Sequence, residues 1–134
     1  MATQPRPDQL TAFAAGAPAD GPLHMLNLLK FKEKAEYADG RASDLSGEQA
    51  YGLYGEGVIP LVSKLGGRPV YFGKANTLLI GDGELQWDAV AIVEYPSLAA
   101  FQQMTQSEEY AAIHVHREAG LAHQLLIHCL APAS

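Results

Sequence analysis

The segment from Trp87 to Leu121 constrains the fold of this chain more than any other stretch. It opens with an apolar run, Trp87–Tyr95, halted by Pro96, which has no N–H to continue a sheet ladder. Ser97 follows as a helix N-cap, with helical sequence to about Thr105, and Ser107 caps a continuation to about Ala119. Gly120 fits the C′ position, and His123–Leu130 is again an apolar strand. A strand that passes through a helix into another strand calls for a sheet with helices laid on it.

The rest of the chain repeats that grammar. Residues 1–8 are polar and carry Pro5 and Pro7, which predicts a loose arm. Asp8 can cap a short helix, Gln9–Ala15, ending at Gly16, and Ala17–Pro22 reads as a linker. Leu23–Phe31 is the first strand. Ser46 and Gln49 form a capping box that opens a helix to about Leu65, stopped by Gly66 and Gly67. Arg68–Ile80 reads as a strand bent at Gly73, before the turn Gly81–Gly83. The order β-α-β-β-α-β predicts an α+β, ferredoxin-like fold with a four-stranded antiparallel sheet. At 134 residues the chain is one domain, divided here into an arm with a short helix (1–22) and the α+β body (23–134).

Such a sheet has helices on one face only. Yet Ala89, Ala91 and Val93 alternate with Val90 and Ile92, and Leu126 and Leu130 with Leu125 and Ile127. Strands apolar on both faces need cover on both. A second copy of the chain is the simplest cover, so the sequence predicts a homodimer joined through its sheet faces.

Composition removes several function classes. Nine basic against fifteen acidic residues give a formal charge of −6, which argues against nucleic acid as a partner. Lys30, Lys32 and Lys34 are interrupted by Glu33 and Glu36 and read as a solvated strand end. The single cysteine, Cys129, lies in the apolar run Leu125–Leu130 and reads as a buried, inert thiol. No apolar run approaches the roughly 20 residues of a membrane span, and the first residues lack the apolar stretch of a secretory signal, so a soluble, cytoplasmic protein is expected. His114 and His116 are roughly 200° apart around a helix, and His123 and His128 face opposite sides of a strand, so no metal site is expected. The glycines of Gly52, Gly55 and Gly57 stand inside a helix rather than after a strand, which excludes a dinucleotide loop. No cofactor is expected.

The candidate site residues each carry a structural alternative. Asn27, between Met25 and Leu29, is either a ligand-facing amide or one paired with a neighbouring backbone group. Tyr51 and Tyr54 head an apolar helix stripe; such aromatics are core, or pocket walls with hydroxyls turned inward. Tyr110, Ile113, His114, Arg117 and Leu121 share one helix face. His114 is an acid–base candidate or a core-edge histidine. Arg117 either complements its own helix terminus or, turned inward, needs an anion: Glu94, Glu56 or a substrate carboxylate. Trp87, read in line with Ala89 and Ala91, is either packing or the mouth of a cavity. Glu94, on the other face, needs a partner across the dimer axis or a water.

The residues Tyr95-Pro96-Ser97, Ser107-Glu108-Glu109-Tyr110 and Arg117, with Met25–Phe31 and Tyr51–Tyr54, resemble the family called domain of unknown function 1330, a branch of the dimeric α+β barrel superfamily. The resemblance spans roughly residues 23–131; the arm before Leu23 and the polar loop Glu33–Leu45 are additions to it. It implies a pocket between helices and sheet in each protomer. It also implies a range of activities that includes cofactor-independent isomerases, cyclases and monooxygenases, with haem binding elsewhere in the superfamily. Two readings follow. In one, His114, Arg117 and Tyr54 do acid–base work on a small anionic or aromatic substrate, with Asn27, Tyr51, Trp87 and Tyr110 binding it. In the other, the protein is a non-catalytic homodimer that binds a small molecule or serves as a scaffold.

Overall fold

The computed structural model describes residues 3–18 and 20–132. The elements run α1 (Pro7–Gly16), β1 (Leu23–Phe31), α2 (Gly47–Lys64), β2 (Arg68–Lys74), β3 (Ala89–Tyr95), α3 (Leu98–Thr105), α4 (Glu108–Gly120) and β4 (Leu121–Cys129). The strands form one antiparallel sheet in the order β2-β3-β1-β4. This is the ferredoxin-like arrangement expected from the order of elements.

The N-cap predictions hold for the helices that build the body. Ser46 Oγ accepts from Gln49 N while Gln49 Oε1 accepts from Ser46 N. Ser97 and Ser107 cap α3 and α4 by the one-way bond alone, each Oγ accepting from the N–H three residues on. Gly66, with φ +91°, ends α2 in the left-handed region. The arm helix differs. Arg6 is its N-cap, its N–H bonded to Gln9 Oε1 at 2.9 Å, and Asp8 lies in the first turn. Pro7 at N1, where no N–H is needed, starts the helix before the expected cap.

Strand parity places Leu23, Met25 and Leu29 of β1, with Ala89, Ala91 and Tyr95 of β3, in the core under the helices. The opposite face carries Leu26, Leu28, Val90, Ile92, Leu125 and Ile127, matched across the strands. In the single chain Leu125 is 44% and Ile127 41% exposed. Cys129 shares this face and is half-buried, not sunk in the core as its apolar neighbours suggested. Glu94 is partnered within its own chain: Oε1 lies 3.0 Å from His24 Nε2, and Oε2 accepts from Arg68 Nε at 3.2 Å. It needs neither a symmetry mate nor a water.

Three boundaries moved for identifiable reasons. β2 stops at Lys74, and the apolar run behind the longer prediction is a loop in which Leu79 and Ile80 are each 89% exposed. The irregularity in β2 falls between Pro69 and Tyr71; Gly73 makes room for the Tyr71 ring, which occupies the space a Cβ would need. β3 starts at Ala89 because Asp88 turns its polar atoms to β1: its N–H donates to Leu29 O, and Oδ2 accepts from Phe31 N. Gly120 is the last residue of α4, without a positive φ, and β4 follows at once at Leu121. Its lack of a side chain serves packing. A Cβ there would run into Gly47 O and stand 2.9 Å from Tyr51 N. Gly57 likewise admits Ile113, so glycines let α2 and α4 lie close together over the sheet.

Candidate functional site

Asn27 of β1 sits opposite Ala91 of β3 in the centre of the sheet. The small Ala91 side chain leaves space, and α2 lowers Tyr51 and Tyr54 toward it, their ring centroids 5.3 Å apart. The result is a cleft of about 60 Å³ lined by Asn27, Tyr51, Tyr54, Val58, Ala91 and Tyr95 among others. Asn27 and both helix tyrosines are therefore brought together.

The amide of Asn27 is heavily used. Its Nδ2 donates to Met25 O and Ala91 O, each at 3.2 Å, and its Oδ1 accepts from Gln124 Nε2 at 2.8 Å. Gln124 Oε1 in turn accepts from Arg117 Nη2. The same nitrogen donates to Thr3 O at 2.8 Å, and Nη1 lies 3.5 Å from His114 Nε2. Arg117 is only 9% exposed. Among the described residues no carboxylate lies within ion-pairing distance of it, so neither Glu94 nor Glu56 is its partner. A half-buried chain thus runs Asn27–Gln124–Arg117–Thr3, from the sheet centre to the arm.

The tyrosines form a second line. Tyr54 and Tyr110 hydroxyls are 3.1 Å apart, and the Tyr110 ring lies 5.5 Å from the His114 imidazole. Tyr51 makes no hydroxyl hydrogen bond to the described residues. Burial pushes the Tyr51 phenol up to about 12, against a smaller opposing pull from Arg117. Burial, then the neighbouring Tyr110, raises Tyr54 well above the ordinary phenol range. These hydroxyls stay protonated at neutral pH and can donate to a ligand oxygen. His114 is lowered, by burial first and by the Arg117 charge second, while Glu118, 3.7 Å away, pulls it back up. Its neutral imidazole can accept a proton.

The remaining sequence candidates divide. His114 and Arg117 do not line the tyrosine cleft; they adjoin it through Tyr110 and Gln124. Trp87 lies before β3 begins, so strand parity does not extend to it. Its ring packs edge-on to His123, 5.2 Å between centroids, and it lines neither cleft described here. Gln124 and Thr3 were missed. Gln124 had a readable signal, a lone amide in an apolar strand at the parity of the core face; Thr3, a backbone acceptor in a polar arm, had none.

A second, more open cleft of about 420 Å³ is lined by Thr3, which bonds Arg117, and by Lys32, Glu36, Tyr37, Glu118 and Leu121 among others. Its outer wall is the loop from Glu33 to Leu45. That loop is tied to α4 by Glu36 N donating to Ala119 O and by a 2.6 Å hydrogen bond between the Tyr37 hydroxyl and His116 Nδ1.

Residues 29–128 match the domain of unknown function family DUF1330. The chain belongs to that family. Among solved structures it is similar to the RPA0582 protein of unknown function from Rhodopseudomonas palustris, with 36% identity and a TM-score of 0.83 over 96% of this chain and 97% of that one. The methylated RPA0582 protein gives 37% identity and a TM-score of 0.87 over 99% and 96%. The fold extends to the At3g17210 protein of Arabidopsis thaliana, at 14% identity and a TM-score of 0.54 over 84% of this chain and 97% of that one. A ferredoxin-like protein of the dimeric α+β barrel family from Mesorhizobium loti is 11% identical, with a TM-score of 0.50 over 84% and 99%. No curated protein matches the chain. Among the described residues no helix is long and apolar enough to cross a membrane.

Proposed function

We propose that this DUF1330 member is a homodimer that binds a small, oxygen-bearing, partly aromatic molecule between α2 and the sheet of each protomer. The observation that carries the reading is the Tyr51 hydroxyl. It belongs to a cleft-lining side chain, is held protonated, and is unpaired among the described residues, beside an Asn27 amide wired to a buried cation. A ligand carbonyl or enolate oxygen would accept from Tyr51 and Tyr54, the aliphatic and aromatic walls would cover its apolar part, and Arg117 would supply the positive charge. Acid–base chemistry on such a ligand would use Tyr54 as donor and the neutral His114 as base. The apolar open face, with its matched rows of Leu, Ile and Val, supports the dimer.

A scaffold dimer without ligand is the second reading, favoured by the volume of the tyrosine cleft: about 60 Å³ is well below the roughly 300 Å³ at which small-molecule sites begin. Calorimetry with neutral aryl ketones such as acetophenone separates the two. Micromolar to millimolar binding that weakens about tenfold in Tyr51→Phe, the loss of one good hydrogen bond, supports the ligand reading. Binding that ignores the substitution, or none to a folded protein, leaves the scaffold.

A further inference from the structure

Arg117 is buried and bonded only to neutral groups among the described residues: the Thr3 carbonyl, the Gln124 amide oxygen and the neutral imidazole of His114. A desolvated guanidinium is shaped for a carboxylate, whose two oxygens match its fork and whose charge offsets its own. Here a backbone oxygen with only a partial charge fills that place. We propose that residues Thr3–Pro5, ahead of the Arg6 cap, are a displaceable strap. In this reading the Thr3 carbonyl is an internal stand-in for the carboxylate of a small monoanionic ligand, which reaches Arg117 through the second cleft when the strap lifts. The proposal rests on the reading above that Arg117 meets an anionic oxygen.

Three features carry it. Thr3 is shared: it touches Arg117 and is also a wall of the 420 Å³ cleft, so moving it joins the cleft to the guanidinium. That volume is within the range of small-molecule sites, about 300–1,000 Å³. The arm is loosely held. No residue of α1 is buried, and Gln4–Ala12 are all exposed. The helix is moored by Phe13, edge-on to Phe101 at 5.6 Å and to His128 at 5.4 Å, ten residues beyond the strap contact at Thr3. Releasing Thr3 therefore gives up one hydrogen bond and no core packing. Finally, the cleft selects by charge. Lys32 lines it and favours an anion, whereas Glu36 and Glu118 line it too and oppose a second negative charge. The ligand class is a monocarboxylate rather than a di- or tricarboxylate.

The test uses the full-length chain, with sodium benzoate as the probe and citrate as the polyanion control. In amide-resolved NMR, saturating benzoate should move the Thr3 and Gln4 signals to mobile, random-coil positions while those of the Arg6 cap and of Asp8–Phe13 stay in place. Citrate should leave them unchanged. In calorimetry Phe13→Ala, which loosens the mooring, should bind benzoate several-fold more tightly than the natural chain. Arg117→Lys, which keeps the charge but loses the fork, should bind it at least tenfold more weakly. Benzoate binding with unmoved strap signals overturns the strap, as does the absence of benzoate binding in both the natural chain and Phe13→Ala. Neither result touches acetophenone binding at Tyr51, which tests the tyrosine cleft by itself.

Discussion

Gly120→Ala and Gly52→Ala make opposite predictions from the same chemical change. Alanine in a helix is favoured over glycine by about 0.5–1 kcal/mol, because glycine loses more backbone freedom on folding. At Gly52, inside α2, a Cβ meets nothing within 4 Å, so that gain should appear almost whole. At Gly120 the new Cβ would run into Gly47 O, with Tyr51 N at 2.9 Å and Tyr51 Cβ at 3.3 Å. Two of these are backbone atoms, which cannot rotate aside, so α2 and α4 must separate. Forcing extra volume into a packed contact costs about 1–3 kcal/mol. That exceeds the propensity gain, which is smaller for the last residue of a helix. We expect Gly52→Ala to raise stability by about 0.5–1 kcal/mol and Gly120→Ala to lower it by about 1–2 kcal/mol. For a domain of this size each kcal/mol is about 3–5 °C in Tm. Scanning calorimetry with urea titration at constant m-value reads both. A Gly120→Ala protein as stable as the natural one would mean that the helices are not in backbone contact, and that Tyr51 is not set over the sheet by that contact.

Two further outcomes follow. Leu125 is 44% exposed in the single chain. Covering that remainder in a dimer is worth about 1 kcal/mol per copy and about 2 kcal/mol per symmetric interface. Leu125→Glu adds a buried, unpaired charge, so sedimentation should show a folded monomer where the natural chain is a dimer; unchanged sedimentation would refute the open-face interface. His114 has a depressed folded-state pKa. The unfolded chain therefore binds a proton first as pH falls below its ordinary value of about 6.5, and stability is lost across that window. His114→Gln should flatten the stability–pH curve there, and an unaltered curve would show that His114 does not feel burial and Arg117 as described.

Local chemistry made the fold legible. Ser46 with Gln49, Ser97, Ser107, Pro96 and Gly66 each act at their own position through bonds to near neighbours, so sequence alone locates them. Asn27, Tyr51 and Tyr54 were legible as inward-facing by strand and helix periodicity. What failed depended on partners distant in sequence. Trp87 continues the apolar alternation of a strand in sequence, but Asp88 ends that strand by bonding to Leu29 and Phe31. Gly120 looked like a helix stop because its real reason, Gly47 and Tyr51, is some 70 residues upstream. The strand predicted through Ile80 had the right composition but no partner strand to pair with. Arg117 pointed to an anion by its charge; that a backbone oxygen from the arm would meet it had no sign in the sequence.

Ligand binding at the tyrosine cleft is tested most directly by a crystal structure of the protein soaked or grown with acetophenone at concentrations above its calorimetric Kd. Density is expected for the ketone between α2 and the sheet, its oxygen within hydrogen-bond distance of the Tyr51 or Tyr54 hydroxyl and its ring against Val58 and Ala91, with α2 moved outward to enlarge the cleft. A cleft that stays closed and empty, with the ketone bound elsewhere or not at all, would contradict it.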